Sequence, residues 1–338
     1  MGDPRAVVID GPGELRVVPV LPRPPAADAA LVRVAWAGIC GSDRELLAGT
    51  RPAPYASYPI VPGHEWSGTV VDVGPGVDRG LVGAAVVGEG FRSCLRCDAC
   101  RRGDTNLCES AYDETGFTQP GACADYLTLP ARLLHVLPPG ADLRAAAGLE
   151  PAACVAAACL HAAPVPGERV AVVGAGMLGL LATQLLAAGG PAETTVVHTR
   201  RSRAELAIRC GASMFLTRDE AAAHAGRYDL VIETAGASGA ARLATDLARR
   251  GGRVVLTGIP ARDDDPPNPV DLVVNQITVH TVFGAPSRAW SYAVRAFAAG
   301  KLDPALLITH EIVLEDATEA FRVLREERAS AVKVLLYP

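Results

Sequence analysis

The sequence predicts an α/β protein with two domains, one rich in β-strands and one built on a doubly wound parallel sheet. The 338 residues are about two domains' worth of chain. Up to about residue 140, short β-branched runs alternate with Gly and Pro, which is typical of an all-β domain with long loops. Beyond residue 150, strand-like runs alternate with helical stretches, and this pattern indicates the parallel sheet.

The composition argues against nucleic-acid-binding and membrane-spanning proteins. The 32 Lys and Arg against 37 Asp and Glu leave a net charge of −5, so no basic surface for a phosphate backbone is expected. The most apolar stretch, residues 145–163, contains Glu150, Pro151 and His161 and is too short and too polar to span a bilayer. Because residues 1–30 contain no apolar core behind a basic start, we expect no signal peptide and a cytoplasmic location.

The β-rich domain is expected at residues 1–152 and 284–338, so it is discontinuous in the chain. Its first strands are predicted at residues 6–9, 31–35, 69–73 and 81–87. After helices near residues 287–300 and 315–326, a last strand at 331–336 has no partner in the alternating region. We expect this strand to complete the β-rich domain.

The doubly wound domain is expected at residues 153–283. A helix over about 150–163 leads towards it, and the turn at Pro166 and Gly167 precedes its first strand. Its strands are predicted at residues 169–173, 194–198, 229–234, 252–258 and 277–283.

The first of these strands is followed by GAGMLG at residues 174–179 and then by a helical run. The G-x-G-x-x-G pattern is weak evidence alone, but between a strand and a helix it predicts a dinucleotide-binding loop. Gly174 permits the turn, Gly176 lets the backbone approach a pyrophosphate, and Gly179 allows close helix–strand packing. Met177 and Leu178 open the helix, whose N-terminus offers N–H groups to the phosphates. The alternative is a Gly-rich turn without a ligand.

The end of the second strand predicts which dinucleotide binds. An acid there accepts hydrogen bonds from a free ribose 2′-OH, whereas arginine receives a 2′-phosphate. Glu193 precedes this strand and is at the wrong end. The residues at the correct end are His198, Thr199, Arg200, Arg201, Ser202 and Arg203. We therefore expect NADP(H) rather than NAD(H); the alternative is a solvated basic start to the next helix.

Four of the nine cysteines, Cys94, Cys97, Cys100 and Cys108, lie within fifteen residues. Four thiolates at this spacing can surround one Zn²⁺ tetrahedrally and leave no open position, so we predict a structural zinc site. An iron–sulfur cluster is the alternative, but the spacing matches neither ferredoxin pattern. Free thiols are a third interpretation.

Three further strings are GICGSD at residues 38–43, PGHE at 62–65 and GLEP at 148–151. With the four-cysteine segment and the glycine loop, they occur in an order and spacing that resemble the zinc-dependent medium-chain alcohol dehydrogenases, in particular the polyol and sugar-alcohol branch. The string YPIVPGHEWSG at residues 58–68 is similar to actinobacterial aminocyclitol and amino-sugar dehydrogenases of secondary metabolism. The resemblance covers nearly the whole chain. It implies a GroES-like catalytic domain and a Rossmann cofactor domain.

The resemblance also implies a ligand set for a catalytic zinc. Cys40 and His64 match two ligands, and Glu150 stands where the third ligand comes. Glu65 matches a glutamate that lies near the metal and binds it directly or through water. Cys154, one helical turn beyond Glu150, is a rival third ligand.

Other site residues follow from the same resemblance. Asp43 matches the carboxylate that orients the histidine ligand, and Ser42 matches the hydroxyl that passes the substrate's proton towards solvent. At Gly41 several relatives carry a larger residue, so a relay through this position is absent. Thr234 is expected near the ribose and Phe283 near the nicotinamide carboxamide, with loop packing as the alternative for both.

Together these features imply an oxidoreductase with two zinc ions per chain, one catalytic and one structural. It would interconvert a polar secondary alcohol and its ketone or aldehyde with NADP(H), in a homodimer or homotetramer formed through strand 277–283. A zinc-independent quinone or enone reductase and a non-catalytic NADP-binding protein are the alternatives. Candidate pocket residues, each equally well explained by core packing, are Tyr55, Tyr58, Trp66, Phe117 and Trp290.

Overall fold

The structure is a computed structural model that describes residues 3–260, 265–327 and 330–338. Within these ranges it has fifteen strands and eleven α-helices. The strands are β1 (Arg5–Gly11), β2 (Glu14–Pro19), β3 (Ala29–Ile39), β4 (Glu65–Val73), β5 (Ala85–Gly88), β6 (Tyr126–Pro130), β7 (Leu134–Val136), β8 (Arg169–Val173), β9 (Glu193–His198), β10 (Met214–Thr217), β11 (Tyr228–Glu233), β12 (Ala248–Leu256), β13 (Thr278–Thr281), β14 (Ile308–Val313) and β15 (Lys333–Tyr337). The helices are α1 (Gly41–Ala48), α2 (Asp98–Arg101), α3 (Leu143–Ala146), α4 (Leu149–Ala162), α5 (Met177–Ala187), α6 (Ala204–Arg209), α7 (Arg218–Ala221), α8 (Ala240–Leu247), α9 (Pro269–Asn275), α10 (Ser287–Ala298) and α11 (Ala317–Glu326).

The described residues form two compact units. The first runs to Glu150 and resumes at Leu307, and the second runs from Pro151 to Leu306. The sequence-based boundary at residue 284 therefore differs from this division, because α10 belongs to the second unit. Ala289, Trp290 and Ala293 lie on one face of α10 and are buried, so this helix packs as part of its own unit.

The first unit is built on a seven-stranded sheet. Its strand order is β14-β15-β3-β4-β5-β7, and β6 also pairs with β3. The last strand, β15, lies antiparallel to β3 with Val334 opposite Ile39, and parallel to β14. The end of the chain thus completes the β-rich unit, as predicted. Long apolar side chains fill its core, among them Ile9, Leu46, Trp66, Phe117 and Leu129.

The second unit is built on a six-stranded parallel sheet in the order β10-β9-β8-β11-β12-β13. The chain builds from β8 to β9 and β10 on one side, then continues with β11 on the other side of β8. Ligands bind beyond the carboxyl ends of the strands at such a reversal of order. Strand β10 was not predicted from the sequence, because it has only four residues and no clear periodicity.

Within the described ranges, no helix has the length and apolar character needed to cross a membrane.

Candidate metal and cofactor sites

The side chains of Cys94, Cys97, Cys100 and Cys108 converge, and their Sγ atoms all lie within 4.8 Å of one another. None of the four forms a disulfide. The left-handed backbone at Leu95, with φ 58°, forms the turn in which the N–H of Cys97 donates to Sγ of Cys94 at 3.4 Å. Amide donors to sulfur favour thiolates. Four facing sulfurs held this way fit a closed tetrahedral zinc site.

A second group of potential ligand atoms belongs to Cys40, His64 and Glu65, also within 4.8 Å of one another. The sheet brings them together, since β3 ends one residue before Cys40 and β4 begins one residue after His64. These strands are antiparallel, with Gly38 opposite Glu65. Sγ of Cys40 lies 3.4 Å from Nε2 of His64.

Asp43 lies behind His64 and is fully buried. Its Oδ1 is 3.6 Å from Nδ1 of His64, and its Oδ2 accepts the backbone N–H of Cys40 at 2.9 Å. Burial raises the pKa of Asp43, but His64, the backbone N–H of Cys40 and the ammonium of Lys333 together lower this pKa to below its usual value. An imidazole with one nitrogen towards a thiol and the other towards a carboxylate is the arrangement of a metal-bound histidine. The residues therefore fit a divalent metal.

Glu65 has a partner that was not predicted from the sequence. Lys333, at the start of β15, donates from Nζ to Oε2 of Glu65, and both side chains are buried. Gly38 leaves room for this carboxylate, because a Cβ at that position would lie 2.5 Å from Oε2 of Glu65. The available sequence signal was a lysine at the start of an otherwise apolar strand.

Glu150 lies in the first turn of α4 and is not part of the group formed by Cys40 and His64 within 4.8 Å. The resemblance implied Glu150 as the third ligand, whereas the carboxylate that lies with the other two in the structure is that of Glu65. Glu150 is nevertheless close enough for its charge to contribute to the raised pKa of Glu114.

Of the other predicted residues in this unit, Ser42 is the closest to the thiol. Its Oγ lies 2.9 Å from Sγ of Cys40. Among the candidate pocket aromatics, Phe117 contacts His64, with ring centroids 4.7 Å apart. Trp66 is a core residue of this unit, and Tyr58 donates its hydroxyl to the backbone of Leu46. Tyr55 is 39% exposed.

A polar group beside Phe117 was not found from the sequence. The guanidinium of Arg51 lies 3.8 Å from the centroid of the Phe117 ring. It donates from Nη2 to the hydroxyl of Tyr112 at 2.9 Å and is 3.7 Å from Oε2 of Glu114. The Tyr112 hydroxyl in turn donates to Glu114. Nothing local in the sequence pairs Arg51 with residues sixty positions away.

The glycine loop has the shape that the sequence predicts. Gly174 has φ 114°, a left-handed conformation that favours glycine. A Cβ on Gly179 would lie 1.9 Å from the carbonyl oxygen of Gly174, so the helix approaches the strand where only glycine fits. A Cβ on Gly176 would meet no atom within 4 Å. The space before the N-terminus of α5 is therefore open, which suits a pyrophosphate.

At the carboxyl end of β9, the predicted basic residues differ in their contacts. Arg201 forms an ion pair with Glu220, and Arg203 is buried. The exposed Arg200 donates its backbone N–H to Nδ1 of His198 at 3.0 Å. Thr199 is also exposed.

The remaining predicted cofactor residues lie beside the glycine loop or on the surface. Thr234 directs its N–H and its hydroxyl to the carbonyl of Val173, at 2.9 and 3.0 Å. The buried carboxylate of Glu233 accepts the N–H groups of Ala235 and Gly236, at 2.6 and 2.8 Å, and so fixes this turn. Phe283 is 45% exposed, which fits a role at a ligand surface as well as loop packing.

Known proteins resemble both halves of the chain. Residues 26–139 match the alcohol dehydrogenase GroES-like domain, and residues 178–299 match the zinc-binding dehydrogenase family. The chain is 31% identical to a sorbitol dehydrogenase of Halalkalibacterium halodurans, over 93% of each protein. It is 31% identical to L-galactonate-5-dehydrogenase of Escherichia coli K12, over 88% of each. A protein from Sinorhizobium meliloti 1021 described as a zinc-binding dehydrogenase, solved bound to NADP, superimposes with a TM-score of 0.92 at 30% identity, over 100% of both chains.

Proposed function

Because the chain belongs to the zinc-dependent medium-chain alcohol dehydrogenases, in their polyol branch, we propose that it interconverts a polar secondary alcohol and its ketone or aldehyde with NADP(H). The observation that carries the proposal is that the thiol of Cys40 faces the imidazole of His64, with Asp43 behind that imidazole. Such a donor set suits a catalytic metal, and a zinc-independent reductase would not need it.

The catalytic zinc would be held by Cys40, His64 and Glu150. Lys333 supports this choice over Glu65, because the ammonium already neutralises the Glu65 carboxylate. When bound, zinc supplies a Lewis acid that lowers the pKa of an alcohol and polarises a carbonyl. The four-cysteine group would hold a second, structural zinc.

The proton of the substrate hydroxyl would pass to Ser42. Its Oγ lies 2.9 Å from Sγ of Cys40 and is half-buried, so it can reach both a reacting hydroxyl and solvent. Asp43 would keep the imidazole of His64 in the orientation that ligation requires, through the charge that its Oδ1 places 3.6 Å from Nδ1.

The cofactor would bind at the glycine loop. Its pyrophosphate would meet the N–H groups of Gly176, Met177 and Leu178 at the start of α5. Arg200, with Thr199 beside it, would receive the 2′-phosphate, which supports NADP(H) over NAD(H). The backbone near Thr234 would line the ribose, and Phe283 would meet the carboxamide.

We also propose that two chains associate through the second unit. Strand β13 is the edge of the parallel sheet, and three of its four residues are exposed. The neighbouring helix α9 exposes Val270, Val273 and Val274 at 65%, 76% and 60%. An unpaired edge beside exposed apolar side chains suits pairing with a second copy. Sedimentation analysis should give a dimer or tetramer, and Val273→Asp should shift it towards the monomer; a monomeric wild type contradicts the proposal.

The activity is tested by measuring zinc per chain together with NADPH oxidation over ketoses, aminoketoses and aldehydes. We expect two zinc ions per chain and turnover of a polar carbonyl compound with a higher kcat/KM for NADPH than for NADH. Two zinc ions and a bound cofactor without turnover across the panel would contradict the enzyme assignment. A clear NADH preference would contradict the cofactor assignment alone.

A further inference from the structure

Arg51, Tyr112 and Glu114, here called the Arg51 patch, form a connected and largely buried polar cluster near the candidate catalytic metal site. The ring of Phe117 lies between the Arg51 patch and the metal site. Its centroid is 3.8 Å from the Arg51 guanidinium and 4.7 Å from the centroid of the His64 ring. On the far side, Tyr55 packs edge-on against Tyr112, with centroids 4.9 Å apart. The Arg51 patch therefore lies between Tyr55, which is 39% exposed, and Phe117, which contacts the histidine ligand.

The Arg51 patch is polar but close to neutral in charge. The side chains of Arg51 and Glu114 are 11% and 8% exposed, and their nearest charged atoms are 3.7 Å apart. Burial raises the pKa of Glu114 to about 7, so at pH 8 it is largely ionised and balances the guanidinium. Tyr112 and Arg51 both approach Oε2 of Glu114, and among the described residues Oε1 accepts no hydrogen bond.

We propose that the Arg51 patch binds hydroxyl groups of an uncharged polyhydroxylated substrate, and that the Arg51–Glu114 ion pair disfavours substrates carrying a carboxylate or phosphate. This proposal rests on the proposed function, since it concerns the end of the substrate remote from the reacting carbon. Hydroxyls can donate to Oε1 of Glu114 and accept from the remaining N–H groups of Arg51. The Tyr112 proton is already donated to Glu114, and Arg51 donates from Nε to the carbonyl of Tyr55 at 2.8 Å.

The charge balance is what discriminates between substrates. A free arginine binds a carboxylate or phosphate through two parallel hydrogen bonds. Here an anion would compete with Glu114 for Arg51 and would leave a buried carboxylate without its partner, which is strongly unfavourable. Relatives of this chain are named for a neutral polyol and for a sugar acid, so the distinction separates substrate classes within the family.

The test compares D-sorbitol with D-gluconate, which differ in the charge of one end group, at pH 8. In Glu114→Gln the carboxylate becomes a neutral isostere that still accepts a hydrogen bond from Tyr112, and Arg51 loses its anionic partner. The ratio of kcat/KM for gluconate over sorbitol should rise at least tenfold. Arg51→Gln leaves the negative charge of Glu114 without a partner, and the ratio of kcat/KM for gluconate over sorbitol should fall at least threefold. The double variant restores neutrality, and the ratio should return to within threefold of wild type.

Asp113→Asn is the matched control, because it removes the same charge from the adjacent residue, whose carboxylate contacts Thr118 rather than Arg51. It should leave the ratio unchanged. Dissociation constants for sorbitol and gluconate on zinc-loaded protein with NADPH, which cannot oxidise an alcohol, provide the corresponding binding ratio without turnover. They decide the proposal even if the proposed activity fails.

If the Arg51–Glu114 pair had a purely structural role, each single variant would lower kcat/KM for sorbitol and for gluconate by the same factor. A gluconate-to-sorbitol ratio unmoved by Glu114→Gln and Arg51→Gln, in correctly folded protein, overturns the proposal and leaves the dehydrogenase assignment intact. Wild-type protein that binds gluconate as well as sorbitol overturns it too.

Discussion

The ammonium of Lys333 donates a hydrogen bond to the carboxylate of Glu65, although the two residues are 268 positions apart in the chain. Both side chains are about 97% shielded from solvent, with relative exposures of 3%. Lys333 also approaches the carbonyl oxygen of Ile39 at 3.4 Å, directly before the cysteine ligand. The last strand thus holds both the carboxylate and the backbone of the candidate catalytic site.

Lys333→Met should destabilise the protein by about 3–5 kcal/mol, because it leaves the Glu65 carboxylate buried without its partner. Urea unfolding of the zinc-loaded protein measures this loss. Arg325→Met, on the exposed side of α11, is the control and should change the free energy of unfolding by less than about 0.5 kcal/mol. Adding Glu65→Gln to Lys333→Met should recover part of the lost free energy of unfolding. Equal stability of Lys333→Met and the control Arg325→Met would contradict the role of the Lys333–Glu65 pair.

The two groups of ligands should respond differently to loss of one thiol. Cys94→Ser should release one zinc per chain and lower Tm markedly, since a closed four-thiolate site contributes folding energy. Cys40→Ser should also release one zinc but abolish turnover with a smaller change in Tm. Metal content by mass spectrometry and Tm by calorimetry distinguish them. Retention of both zinc ions in either variant would remove that cysteine from the ligand set.

The glycines of the cofactor loop should separate folding from binding. Gly179→Ala places a Cβ 1.9 Å from the Gly174 carbonyl oxygen, so we expect a loss of several kcal/mol of stability. Gly176→Ala places its Cβ in open space and should leave Tm within about 2 °C of wild type while weakening NADPH binding at least tenfold. Thermal unfolding and NADPH titration check both. Unchanged NADPH affinity in Gly176→Ala would place the pyrophosphate elsewhere.

Glu220 should compete with the cofactor phosphate for an arginine. Because Arg201 is engaged by this carboxylate, Glu220→Gln should free the guanidinium and strengthen NADPH binding several-fold, with NADH unchanged. Conversely, Arg200→Ala should weaken NADPH binding by about tenfold or more and spare NADH. The ratio of kcat/KM for the two cofactors is the measurement. Equal effects on NADPH and NADH would show that neither arginine meets the 2′-phosphate.

The stability of the protein should depend on the ionisation of Glu114. Burial raises its pKa from 4.5 to about 7 in the folded protein. A carboxyl with a raised folded pKa stabilises the native state below its unfolded pKa, and this contribution is lost as the pH rises through 7. From pH 5.5 to pH 8, wild type should therefore lose about 2 kcal/mol relative to Glu114→Gln. Parallel pH profiles of the two proteins in urea unfolding would contradict the raised pKa.

Features with a local signature were predictable from the sequence. The glycine loop and the four-cysteine segment each consist of residue types at short spacing, and the alternation of strands and helices predicts the parallel sheet. Cys40 and His64 are 24 residues apart, and it was the resemblance to a family that implied their pairing. Features that depend on tertiary contacts were not predictable. Lys333 meets Glu65, and Arg51 meets Glu114, only because the sheet and its loops bring distant segments together.

The identity of the third ligand of the candidate catalytic zinc also depends on tertiary contacts. Glu150 was assigned by resemblance to a position in the motif, whereas the side chain that lies with Cys40 and His64 is decided by how α4 and β4 pack. Aromatic side chains were equally ambiguous. Of the five candidates, Trp66, Phe117 and Trp290 are buried, and Phe117 alone contacts a ligand residue among the contacts described.

Strand β15 has a consequence for how the protein is made. It occupies an interior place in the sheet, between β14 and β3, and follows the parallel-sheet unit in the chain. Because synthesis proceeds from the N-terminus, the strands of the parallel sheet are made before β15, and until β15 emerges one edge of β3 lacks this partner. Lys333 can therefore meet Glu65 only after the intervening parallel-sheet unit has been synthesised, so translation imposes an order on the assembly of the carboxylate network.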